Sequence, residues 1–97
     1  MKATHVRFAR SATRHRVSKE SILHVIIHCG LHFDEPPPAS DAGVADPRLL
    51  FLGDDADGCP LEVIVVESSD AELVVIHAMP LRNKYKQQYE EAKTWRL

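Results

Sequence analysis

The chain has 97 residues, 10.9 kDa, with 44% hydrophobic and 27% charged side chains, which fits one folded domain and excludes a disordered chain. Fourteen acids against twelve Lys and Arg give a net charge of −2 and a pI of about 6.3, excluding a uniformly basic nucleic-acid binder but not a local basic face. The apolar runs fall far short of the roughly 20 residues of a membrane helix, and the basic stretch 1–16 lacks the apolar segment of a signal peptide; the expectation is a soluble, cytoplasmic protein with no membrane partner.

Residues 5–9 alternate weakly, Val6 and Phe8 against His5 and Arg7, as in a short edge strand. The next element opens at Ser18, whose hydroxyl suits an N-cap, with Val17 and Ile22 at the flanking staple positions. Ile22, Leu23, Ile26 and Ile27 form an apolar stripe and Gly30 a stop, predicting a helix over 18–29. Residues 34–47 hold Pro36, Pro37, Pro38 and Pro47 and predict an extended loop, because proline cannot donate to a helix or a ladder.

From Arg48 the pattern becomes that of strands. Leu49 to Leu52, Leu61 to Val66 and Leu73 to Ile76 are apolar on both faces apart from Glu62. Turns at Gly53–Gly58 and Ser68–Asp70 join them into an antiparallel meander. Pro80 suits a first helical turn, and Leu81, Tyr85, Tyr89 and Ala92 repeat at helical spacing, predicting a helix over 80–93. The expected fold is α+β: one domain spanning 1–97, its helices packed on a twisted antiparallel sheet of three to four strands. Cys29 and Cys59 sit beside apolar residues and read as two buried, reduced thiols.

Charge is segregated along this order. Residues 1–20 carry six basic side chains and one acid; residues 31–72 carry eleven acids and only Arg48; residues 82–97 carry five basic side chains and two acids. If the two basic ends meet in space, they form a phosphate-binding surface despite the low pI.

Thr13-Arg14-His15-Arg16-Val17-Ser18-Lys19-Glu20 resembles the "KHGVSxEE" opening of BrnT-type toxins from bacterial toxin–antitoxin pairs. The tail, strand Leu73 to Ile76, then His77-Ala78 and a basic helix ending in Tyr89-Glu90, resembles that family's "IxAR…ERxxYE" ending. The resemblance covers nearly the whole chain and implies a RelE-like fold of the RelE/ParE class. It also implies a metal-independent endoribonuclease acting on mRNA, with no cofactor, neutralised by an antitoxin protein; a homo-oligomer stays open. Arg16 stands where the family carries glycine, Met79 where it carries a basic residue, and Tyr85 where it carries an acid. The alternative is a protein- or RNA-binding module on the same scaffold without catalysis.

Metal-free RNA cleavage needs a base for the 2′-hydroxyl, cations for the phosphorane and an acid for the leaving 5′-oxygen. His77, at the end of a core strand and just before a helix N-terminus that attracts anions, is the first candidate for proton transfer. Arg82 and Lys84 follow on the first helical turn as phosphate ligands, and His15 is the second proton-transfer candidate. Arg14, Arg16 and Lys86 are candidate RNA contacts. Tyr85 and Tyr89 suit either base stacking or, by their helical repeat, the core. His24, His28 and His32 invite a metal reading, but lack a zincin glutamate and a second ligand pair; surface or capping histidines are preferred, and no metal site is assigned.

Overall fold

A computed structural model describes residues 5–29, 32–35, 48–67 and 72–95. Five strands, β1 (His5–Phe8), β2 (His32–Glu35), β3 (Arg48–Asp54), β4 (Pro60–Glu67) and β5 (Glu72–Pro80), form one sheet in the order β1-β5-β4-β3-β2. Helix α1 (Lys19–His28) follows β1, and helix α2 (Lys86–Trp95) follows β5. The fold is α+β, but with five strands rather than three to four. It is also mixed rather than antiparallel, because β1 runs parallel to β5 while the other neighbours are antiparallel.

The extra strand is β2, where the sequence predicts the Pro-rich loop to begin. Its four residues offer one half-buried apolar side chain, Phe33, so no alternation announces it; the antiparallel ladder to β3 holds it. The rest of that loop, 36–47, lies outside the described residues, as do Gly30 and the 68–70 turn.

The central strands are apolar on both faces because both faces are covered. On one, Ile22 and Val25 of α1 pack with Phe51, Val63, Val65 and Val75. On the other, Leu50, Leu52 and Ile64 meet Tyr85 and Tyr89. The alternation of a strand divides each run between the two cores. Helix α1 begins as expected: the Ser18 hydroxyl oxygen accepts the Ser21 N–H at 3.1 Å, and Val17 packs against the core.

The second helix starts later than predicted. Pro80 closes β5 opposite Leu61, and the Leu81 N–H donates to the Pro60 carbonyl at 3.1 Å, so the ladder outcompetes the helix at these residues. A 3-10 turn, Asn83–Tyr85, then leads into α2. Gly53 is likewise a strand residue, opposite Leu61. The β3–β4 turn is built by Asp55, whose carboxylate accepts the N–H groups of Asp57 and Cys59, each at 2.9 Å, with Gly58 at φ +83°. Cys59 is therefore exposed on a turn rather than buried, while Cys29 is half-buried and its thiol donates to the Leu52 carbonyl at 3.2 Å. No described helix is long and apolar enough to cross a membrane.

Candidate functional site

The site is created by an irregularity in the ladder. Strands β4 and β5 slip register so that Ile64 faces His77 while Val65 faces Val75, leaving Ile76 as an extra residue. Val75 and Ala78 both belong to the core under α1, so the bulge turns Ile76 and His77 together onto the α2 face. This is how a bulge re-aims a side chain. Histidine 77 therefore lies within β5, which runs on to Pro80, and not at a strand end as the sequence suggests.

On that face His77 meets Glu62 of β4. Glu62 is fully buried, the only charged residue among the described buried ones. Its Oε1 accepts from His77 Nε2 at 2.9 Å, from Arg82 Nε at 2.7 Å and from Arg82 Nη2 at 2.6 Å. Its Oε2 accepts the Arg82 backbone N–H at 3.1 Å. Burial pushes the Glu62 carboxyl up, but the hydrogen bonds from Arg82 and His77 outweigh it and hold the group below its ordinary value of 4.5. An ionised carboxylate only accepts, so the Nε2 of His77 carries a proton and Nδ1 is the nitrogen left for chemistry. Arg82 and His77 keep 42% and 23% of their side-chain surface open, so both face solvent from a fixed position.

The N-terminal segment completes the cluster. Beyond Phe8, where β1 ends, the chain continues along the edge of β5. The Ala9 N–H donates to the Val75 carbonyl at 2.9 Å and the Ser11 hydroxyl to the Ile76 carbonyl at 2.6 Å. The 3-10 turn Arg10–Thr13 then carries the chain to His15, whose ring meets His77 edge-on, centroids 5.9 Å apart. Arg16 bends the chain toward α1 at φ +61°, a left-handed conformation that favours glycine. Two imidazoles, a guanidinium and a buried carboxylate thus share one place, with His15 and Arg82 drawn from the two basic ends, Glu62 from the acidic middle and His77 from β5.

The other expected residues fall around or away from it. Arg14 and Arg16 are exposed on either side of His15. Lys84 is exposed with its ammonium 4.9 Å from the centre of the Tyr85 ring, and Lys86 is exposed at the start of α2. Tyr85 is 5% exposed within the core under α2, so the structure makes it a packing residue rather than a platform for bases. Tyr89 is buried beside it and donates its hydroxyl to Asp54. Ahead of the second helix, the Arg82 backbone N–H is taken by the protein's own Glu62, while the Arg82 side chain stays 42% exposed.

Glu62 is the member of this cluster that the sequence reading passes over as a site residue. The available signal is its position: a lone carboxylate in a run buried on both faces requires a cation. The histidines of α1 and β2 stand apart from this cluster. His24 hydrogen-bonds the Asp54 carbonyl at 3.2 Å and lies 4.4 Å from the His28 ring, while His32 tilts over Phe51. Among the described residues no three His, Cys, Asp or Glu side chains converge as metal ligands would. No protein-family model matches the chain, and no curated protein matches its sequence.

Proposed function

We propose that the chain is a BrnT-like toxin of the RelE structural class, a cytoplasmic, metal-independent endoribonuclease that cleaves mRNA and is held inactive by an antitoxin. The observation that carries this reading is the cluster of His15, His77, Arg82 and Glu62. The left-handed Arg16, at the position where the BrnT pattern has glycine, adds support from the backbone.

The chemistry needs no further group. His77, its Nε2–H anchored by Glu62, takes the 2′-hydroxyl proton through Nδ1; the 2′-oxygen attacks phosphorus. Arg82 stabilises the charge on the phosphorane, and protonated His15 gives its proton to the departing 5′-oxygen. The products are a 2′,3′-cyclic phosphate and a 5′-hydroxyl. Arg14, Arg16, Lys84 and Lys86 hold the flanking RNA backbone. Arg82, three residues beyond Met79, takes the basic role that the BrnT pattern gives to that position.

A second reading, a protein- or RNA-binding module without catalysis, is favoured by Tyr85: the position of the family's acid is occupied by a buried phenol. Expression in a bacterial host separates them. The toxin reading expects growth arrest, relieved by His77→Ala with Arg82→Ala in a variant that circular dichroism finds folded. Arrest undiminished in that variant removes the site assignment, and salt-sensitive RNA binding without cleavage by the purified protein favours the module.

A further inference from the structure

Beside Arg82, on the side formed by α2 and the ends of β4 and β5, lies an open cleft of about 390 Å³, within the size range of small-molecule sites. We propose that it seats one ribonucleotide, that on the leaving-group side of the cleaved phosphate. The inference rests on the ribonuclease reading and adds to it a binding site and a source of sequence preference.

The lining has the chemistry of each part of a nucleotide. Pro60, Pro80 and Leu81 supply an apolar wall against which a base lies flat. Asn83, exposed at the start of the 3-10 turn, offers a carboxamide that donates and accepts at once, the group suited to a base edge. Lys86 and Glu90 are one turn apart on α2 and face the same cleft. The ammonium, with the Arg82 guanidinium, complements a 5′-phosphate, and the carboxylate accepts from ribose hydroxyls. Arg82 joins the two halves: it lines the cleft while Glu62 Oε1, 2.6 Å from its Nη2, also binds His77. A 5′-phosphate held by Arg82 is thereby next to the proton-transfer groups.

Amide-resolved NMR titration of the full chain with the four nucleoside 5′-monophosphates, their 2′-deoxy forms and inorganic phosphate tests this. We expect saturable shifts at Leu81, Asn83, Lys86 and Glu90, with the best nucleotide binding at least about tenfold tighter than phosphate. Weaker binding of the 2′-deoxy form, and loss of preference among bases in Asn83→Ala, are also expected. Phosphate binding as tightly as every nucleotide at these amides would leave an anion site only and overturn the proposal, as would nucleotide shifts confined to other parts of the molecule. The two readings fail separately. Cleft shifts in a protein that leaves RNA intact keep this site and remove the nuclease, whereas RNA cleavage without cleft shifts removes this site alone.

Discussion

The two faces of the sheet are built for different purposes. Under α1, the buried residues Ile22, Val25, Leu49, Phe51, Val63, Val65 and Val75 are all apolar. Under α2, a smaller core of Leu50, Leu52, Ile64, Tyr85 and Tyr89 shares its face with a buried carboxylate, an arginine and a histidine. The first face stabilises by area removed from water. The second accepts the cost of burying Glu62 and offsets it with four hydrogen-bond contacts. The larger apolar core thus lies on one side of the sheet, and the buried charge cluster on the other.

The largest effect expected is on the apolar face. Ile22→Ala, at a residue 1% exposed, should cost about 3 kcal/mol by urea unfolding, while any variant still folded should keep the arrangement of His77 and Arg82. A change in RNA affinity as large as the change in stability would mean that the faces are not separate.

Next come the partners of Glu62, and here removing one side should not equal removing the other. Arg82→Ala leaves a buried carboxylate with His77 as its remaining side-chain partner and should cost about 2–3 kcal/mol. Glu62→Gln removes the buried charge but keeps an oxygen that accepts, and Arg82 is already 42% exposed, so its cost should be smaller, about 1–2 kcal/mol. The double variant should be more stable than Arg82→Ala alone. Because the folded state holds Glu62 below its ordinary value, its contribution is fully present above that range and is lost as pH falls through the folded value. Urea midpoints at pH 7 and pH 3 should therefore differ more for the wild type than for Glu62→Gln. An equal fall in both would deny Glu62 this role.

The smallest effect concerns the segment that brings His15 round. Arg16→Gly releases a left-handed residue and should raise stability by up to about 1 kcal/mol, set against a more flexible unfolded chain. A loss of stability would place the Arg16 side chain, rather than its backbone, in the structural role.

Legibility in the sequence followed the same division only in part. The α1 face was readable from local signals, a cap at Ser18 and three apolar runs, but its helical stripe was misplaced: Ile22 and Val25 are the buried residues, whereas Ile27 is 72% exposed. A phosphate-binding surface depends on the two basic ends meeting, and the contacts that bear on it are long-range: the His15 ring lies against His77, and Glu62 binds both His77 and Arg82. What could not be read is non-local. Strand β2 depends on its ladder to β3, the parallel pairing of β1 depends on residues far along the chain, and the bulge at Ile76 is a property of two strands together. Pro80 has equal claims to a helix start and a strand end, and only the β4 partner decides between them. Glu62 was visible as an exception in an apolar run, but its partners lie 15 and 20 residues away.

On the proposed reading, Glu62 fixes His77 and Arg82 beside His15 as one RNA-cleaving site. Its most direct test is cleavage of a labelled RNA by the purified chain in excess chelator, with the products resolved chemically. The wild type should give 2′,3′-cyclic phosphate ends, and His77→Ala a rate at least about 100-fold lower. Intact RNA with the wild type, or cleavage undiminished in the variant, would contradict that reading.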